Sequence, residues 1–191
     1  MTMEAAKQHM GAMFEYIAAD GLVALAAMGL PPGAKVLDVG TGVGNFAIFL
    51  ALQGFEVLTG EPDTDTSRYA RHDWAANAHA VGVAKQIRFE AFNASQMPFD
   101  PNTFVAVFFY GVLHHIDEAE RAAALREALR VTGPNGAVVI FEPTQDTLRQ
   151  IWSNDPGHPL AASPALYTAG LDVSEQKLTG QRMDIFIYRM A

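Results

Sequence analysis

The chain has 191 residues, 50% of them apolar and 18% charged, which suits one globular domain with a sizeable core and leaves no room for a second. Its net charge of -8, with only four lysines among 13 basic residues, offers no stripe that could follow a phosphate backbone, so nucleic acid is not an expected partner. Cysteine is absent, which excludes disulfides, cysteine–zinc sites and thiolate chemistry. The start has no basic region before an apolar core, and the run Leu22 to Leu30 is too short to cross a bilayer, so no membrane partner is expected and the cytoplasm is the expected compartment.

Along the chain, Met10, Met13, Phe14, Ile17 and Ala18 recur at helical spacing, and a second set around Leu22, Leu25 and Met28 runs until Gly29-Leu30-Pro31-Pro32. Residues 1–32 therefore read as an N-terminal helical arm. It either packs on the core or closes as a lid, in which case Met3 to Tyr16 orders mainly when ligand is bound. In Lys35-Val36-Leu37-Asp38-Val39-Gly40-Thr41-Gly42-Val43-Gly44-Asn45-Phe46, the apolar residues predict a buried parallel strand. Gly40, Gly42 and Gly44 make a loop that lets backbone approach a ligand, and a helix follows from Asn45 to about Gln53. The third glycine comes one residue too early for the Gly-x-Gly-x-x-Gly dinucleotide fingerprint, and Asp38 precedes Gly40 by two.

A second short strand within Phe55 to Asp63 ends at Glu61, twenty-one positions beyond Gly40. A polar helix with Arg68, Tyr69, Arg71, His72 and Trp74 is expected from Asp63 to about Gly82. A third strand and a turn at Asn93 fall within Ile87 to Phe99. Phe104 to Ile116 is an apolar strand followed by a loop carrying His114 and His115, and Asp117 with Glu120 reads as a capping box for a helix ending near Arg130. Asn135-Gly136 supplies a tight turn before a strand that ends at Glu142-Pro143. Beyond it lie a short helix over Thr144 to Trp152 and a loop from Ser153 to Ser163. Two strands, Asp172 to Leu178 and Asp184 to Met190, pair through a turn at Thr179 to Met183.

Five of these segments, Lys35–Phe46, Phe55–Asp63, Ile87–Phe99, Phe104–Ile116 and Arg130–Pro143, together resemble the class I S-adenosylmethionine-dependent methyltransferases of the small-molecule type over about residues 33 to 143. The resemblance implies an α/β, three-layer Rossmann-like sandwich: a seven-stranded, mostly parallel sheet with its last strand antiparallel, plus the N-terminal arm. It divides a single domain into the arm (1–32), a cofactor-binding core (33–143) and a variable loop with the terminal strand pair (144–191). S-adenosylmethionine is the implied cofactor and S-adenosylhomocysteine its product.

By the same resemblance, Asp38, Gly40, Thr41, Gly42 and Gly44 belong to the cofactor loop and Glu61 accepts both ribose hydroxyls. Pro62, Asn93, Ala94 and Ser95 flank the adenine, and Tyr110 and Gly111 face the methionine end. Asn93 stands where the family usually has Asp, though its carbonyl oxygen can still accept from an adenine amino group. Val105 replaces an Asp near the fourth strand. Glu61 is expected at an exposed strand end with little part in folding. His114 and His115 are the candidates for catalysis, since imidazole titrates near neutral pH, with a pocket-wall role as the alternative. No metal site is expected, because adjacent histidines rarely converge on one ion. Glu142 either meets the acceptor or caps the sheet.

The brief segment around Trp152, His158 and Tyr167 favours a small-molecule acceptor, and the Asn/Asp-Pro-Pro-Tyr signature of base-modifying relatives is missing. A non-catalytic protein that binds S-adenosylmethionine or S-adenosylhomocysteine is the alternative reading. A nicotinamide-dependent oxidoreductase is opposed by the loop spacing and the terminal hairpin.

Overall fold

Val36, Leu37 and Val39 are buried in β1 (Lys35–Val39), a mostly apolar strand of the kind that a parallel sheet covered on both faces requires, with Asp38 as its one buried polar residue. β2 (Glu56–Gly60) and β4 (Ala106–Tyr110) flank it in parallel; β3 (Ile87–Phe89) lies outside β2 and β5 (Ala137–Pro143) outside β4. β7 (Met183–Met190) runs antiparallel beside β5, and β6 (Val173–Thr179) pairs antiparallel with β7, giving the order β3-β2-β1-β4-β5-β7-β6. The expected seven-stranded sheet is thus present. The last two strands can be antiparallel because a tight turn, closed by Gly180 N–H to the Met183 carbonyl at 2.8 Å, replaces the long crossover a parallel pair needs.

The computed structural model describes residues 2–67, 69–70 and 73–191. Alternate residues of each strand enter opposite layers. Ala106 and Phe108 face a core built with α1 (Met3–Met10), α2 (Ala12–Met28), α3 (Asn45–Leu52) and α4 (Trp74–Val81), whereas Val107 and Phe109 face α5 (Glu118–Thr132). α6 (Gln145–Asn154) follows β5, with Thr144 as N-cap accepting from Thr147 N–H and Leu148 buried.

Two helix expectations are corrected. The polar helix does not begin at Asp63: the Asp65 carboxylate takes Ser67 N–H at 2.7 Å, a local turn that competes with helix, and α4 starts only after Asp73, whose side chain caps Ala76 N–H at 3.1 Å. Trp74 lies on α4, Tyr69 lies before it, and the Arg68, Arg71 and His72 of that expected helix fall outside the described residues. The Asp117–Glu120 capping box is also absent, because Glu120 N–H bonds to the backbone carbonyl of Asp117 at 2.8 Å and no side chain caps α5.

α2 is tied to the far edge of the sheet. Its Asp20, fully buried, accepts from Gln181 N–H at 2.5 Å and from Tyr110 Oη at 3.3 Å, joining the helix to the β6–β7 turn and to the end of β4. Gly21 is required beside it, since a Cβ there would lie 2.3 Å from a Phe49 ring carbon. The chain passes from β1 outward to β3 on one side and then to β4 on the other. The order therefore reverses between β1 and β4, where a crevice opens at the carboxyl ends of the strands.

Candidate active site

The loop after β1 enters this crevice. Gly40, Gly42 and Gly44 have φ values of 87°, 49° and 84°, left-handed conformations that other residues adopt only with strain. Gly40 is demanded by space as well, since a Cβ there would sit 2.5 Å from Val112 Cγ2. Gly40 N–H donates to the Gly60 carbonyl at 2.8 Å and Gly42 N–H donates to Glu61 Oε2 at 3.1 Å, so the end of β2 holds the loop open toward solvent. Beneath it, the Thr59 hydroxyl donates to Asp38 Oδ2 at 2.9 Å and lies 3.0 Å from the Thr41 hydroxyl.

Burial raises the Asp38 carboxyl to about 7; the Thr59 hydrogen bond works against this rise and the negative charge of Glu61 adds to it. Glu61 is only 8% exposed, which corrects the expectation of an exposed strand end with little part in folding: its carboxylate folds back onto the loop it faces.

A cleft of about 510 Å³ lies above the loop, within the range of small-molecule sites. Gly40, Thr41, Gly42, Glu61, Pro62, Asn93, Ala94, Tyr110, Gly111 and His115 line it. Asp38 is buried below the loop, Gly44 caps α3 against Trp74, Ser95 supports Asn93, and His114 is buried behind the wall. Both the N–H and the hydroxyl of Ser95 donate to Asn93 Oδ1, each at 3.0 Å. They occupy the oxygen that would have met an adenine amino group, so Asn93 closes a turn.

Residues that the motif reading did not single out complete the wall. Ile17 arrives from α2, Phe46 stacks on Tyr110 at 4.9 Å, and Asn45 presents a buried Oδ1 without a hydrogen-bond partner. Asn45 sits at the start of α3 beside the glycine loop, a position that hints at a ligand role, whereas nothing in the local sequence announces Ile17.

The two histidines part company. His114 Nδ1 lies 2.8 Å from Glu142 Oε2, and the same oxygen accepts Ala162 N–H at 2.8 Å, so Glu142, fully inside the protein, orients His114 and pins the loop beyond α6. His115 faces the cleft, its ring 4.9 Å from Tyr69. Removal from bulk water, then the neighbouring His114 and His158, lower its pKa to about 4 against the opposing charges of Asp65 and Asp155. Because the ring remains open to the cleft, water screens part of this effect, but the direction is toward neutral imidazole at pH 7. His158, brought in by the loop after α6, completes a group whose rings lie 4.3 to 5.2 Å apart.

Residues 37–140, more than half of the chain, match the sequence profile of a family described as methyltransferase domain. The chain belongs to the class I S-adenosylmethionine-dependent methyltransferases. It is similar to demethylmenaquinone methyltransferase of Renibacterium salmoninarum, 31% identical over 73% of this chain and 54% of that protein. It is also similar to phosphoethanolamine N-methyltransferase 3 of Arabidopsis thaliana, 28% identical over 59% of this chain and 22% of that one. The chain spans about half the length of the first curated relatives it matches. Its fold is shared with the YcgJ protein of Bacillus subtilis, with a TM-score of 0.69 at 14% identity over 91% of this chain and 98% of the other.

The family's cofactor is S-adenosylmethionine, and the residues present fit it. The positive-φ glycine loop leaves backbone uncovered, Glu61 turns a carboxylate to the same cleft, and Asn45 holds an unpartnered acceptor at its wall. Among the described residues, no helix is long and apolar enough to cross a membrane.

Proposed function

We propose that this chain transfers a methyl group from S-adenosylmethionine to a small-molecule acceptor. The observation that carries the reading is the Glu61 carboxylate folded against Gly42 N–H at a cleft where the strand order reverses, in a chain of a methyltransferase family. S-adenosylmethionine, when bound, supplies an electrophilic methyl on a sulfonium. The Gly40 to Gly44 backbone accommodates its methionine and ribose portion, Glu61 accepts the ribose hydroxyls, Pro62 and Ala94 flank the adenine, and Tyr110 and Gly111 border the methionine end.

In-line displacement asks mainly for alignment and exclusion of water, and positioning supplies up to about 7–11 kcal/mol of barrier reduction, so no dedicated triad is needed. Phe46, Tyr110 and Ile17 provide the apolar wall that keeps water from the reacting atoms. His115, neutral at pH 7, is the imidazole placed to accept a hydrogen bond from the acceptor, while His114 is turned to Glu142. Residues 33–143 would form the cofactor core, 1–32 the arm that closes its wall, and 144–191 the acceptor side. The net charge of -8 supports a small acceptor over nucleic acid.

The test is calorimetric titration with S-adenosylhomocysteine, S-adenosylmethionine and NAD, followed by methyl release against a panel of aromatic ring carbons, phenols and amines. Micromolar binding of the adenosyl ligands, none of NAD, and turnover with one acceptor class are expected. Binding without turnover across the panel would leave a non-catalytic adenosyl-binding protein, and equal binding of NAD would overturn the assignment.

A further inference from the structure

The three imidazoles of His114, His115 and His158 come from two segments more than forty residues apart, yet one ring nitrogen from each lies within 4.8 Å of the others, the one such group of potential metal ligands among the described residues. Three imidazole rings need not meet in this way to fill space. Their outer contacts suggest what the arrangement is for. Glu142 Oε2, which also takes Ala162 N–H, faces His114 Nδ1 at 2.8 Å, and a carboxylate oxygen can only accept. His158 Nδ1 faces the Pro159 carbonyl at 2.9 Å, again an acceptor. Both Nδ1 atoms therefore carry protons, and in the neutral form that metal ligation requires, each Nε2 presents its lone pair. A carboxylate or carbonyl holding the outer N–H of an imidazole is the support that metal-ligating histidines regularly have.

A second observation points the same way. The other oxygen of Glu142, Oε1, is buried with no hydrogen-bond partner, an arrangement whose cost a positive charge on the far side of His114 would relieve. Asp65 and Asp155 add negative potential at His115.

We infer that His114, His115 and His158 form a binding site for a divalent transition-metal ion of the zinc class at the acceptor end of the cleft. All-imidazole donors without thiolate or a carboxylate cage suit Zn²⁺ and its first-row neighbours, and disfavour Mg²⁺ and Ca²⁺, which take oxygen ligands. Tetrahedral Zn–N bonds of about 2.0–2.1 Å place the ligand nitrogens about 3.3 Å apart, so the ring of His158 moves inward by roughly an ångström on binding. That motion is available because the ring sits on the loop after α6 and its Pro159 partner lies on the same loop, while Trp152 Nε1 at 2.9 Å and the Asp155 carbonyl at 3.1 Å hold the His158 backbone and not the ring. Three protein ligands leave a fourth position, and His115, the ligand on the cleft wall, directs it toward the space where an acceptor would lie. In the metal-loaded protein His115 is a ligand, so its hydrogen bond to acceptor is replaced by whatever group takes the fourth position. The site does not depend on methyl transfer and is tested without any adenosyl ligand.

The test is a titration of the untagged, chelator-treated full chain with Zn²⁺ by calorimetry and with Co²⁺ by visible absorption, whose intensity reports low-symmetry nitrogen coordination. One equivalent should bind at micromolar concentration or below. His158→Ala should weaken binding at least tenfold and flatten the Co²⁺ spectrum without unfolding the chain, because only one half-buried position on a loop changes. Glu142→Gln, which keeps all three ligands, should weaken it about tenfold through loss of support to His114. Binding of equal strength in wild type and His158→Ala would place the ion elsewhere and overturn the inference. Absence of saturable binding at millimolar Zn²⁺ would reduce the trio to a ring stack on the cleft wall.

Discussion

Both ends of the cleft rest on a buried carboxylate network, but they are assembled from very different lengths of chain. At the cofactor end, Asp38, Thr41, Thr59 and Glu61 interlock with Gly42 within 24 residues, and parallel pairing of β1 with β2 brings them into register. At the acceptor end, Glu142 reaches back to His114 and forward to Ala162, and the histidine group is complete only when the loop carrying His158 folds over. The first end is built from one strand–loop–helix–strand unit. The second needs the loop beyond α6, and loops of this kind are where relatives with the same core would be expected to differ in acceptor.

The largest effect should come from Gly60→Ala, at the end of β2. A Cβ there would lie 1.9 Å from the Glu90 carbonyl oxygen, so backbone must move rather than a flexible side chain. We expect a loss of about 3 kcal/mol in urea denaturation, with adenosyl-ligand binding lost in proportion. A loss below about 1 kcal/mol would mean that the cofactor end is not the rigid half.

Glu61→Ala should weaken S-adenosylhomocysteine binding at least tenfold, as removal of charge-assisted hydrogen bonds worth about 1.5–3 kcal/mol implies. Because Glu61 is buried and holds Gly42 N–H, stability should also fall, by about 1 kcal/mol. Glu142→Gln sharpens the contrast: it should leave S-adenosylhomocysteine affinity within about twofold while disturbing His114, read by the imidazole NMR shifts of both histidines. Equal loss of ligand affinity in the two variants would show one coupled site instead of two ends.

Asp38 gives a pH signature of the cofactor end. Its folded pKa of about 7 lies above its unfolded value of 3.8, so the folded state holds the extra proton, and stability is full at low pH and lost as pH rises toward 7. Asparagine mimics the protonated form. Asp38→Asn should therefore gain about 1–2 kcal/mol relative to wild type between pH 5.5 and pH 8 in denaturant titrations. A pH-independent difference would mean that Asp38 is ionised throughout.

The smallest effect concerns the arm. Phe14 and Ala6 are fully buried and Asp20 ties α2 to the β6–β7 turn, so amides of α2 from Phe14 onward should be protected from hydrogen exchange with or without S-adenosylhomocysteine. A tenfold or greater gain of protection over Met3 to Tyr16 on ligand addition would make the arm a lid.

Local features of the fold were readable because each rests on a short-range rule. The glycine spacing after a β-branched strand set the loop, the run Ile185-Phe186-Ile187-Tyr188 set β7, and Gly29 with Pro31 and Pro32 ended α2. Reading failed where competing local bonds were silent in the pattern. Asp65 turned the chain before α4 could start, Asp117 left α5 without a side-chain cap, and Ser95 took the oxygen of Asn93.

By itself, then, the sequence determined the order of strands and most helices and the glycine loop, since hydrophobic period and backbone permissiveness act over a few residues. The resemblance to the family pointed to Glu61 as the acid beside that loop. Tertiary structure alone decided that Glu61 is buried, that Asp38 supports the loop from below, and that His158 joins His114 and His115. Those outcomes depend on which distant segments share one small volume and on the desolvation they impose on one another, and neither quantity is written in any window of the chain.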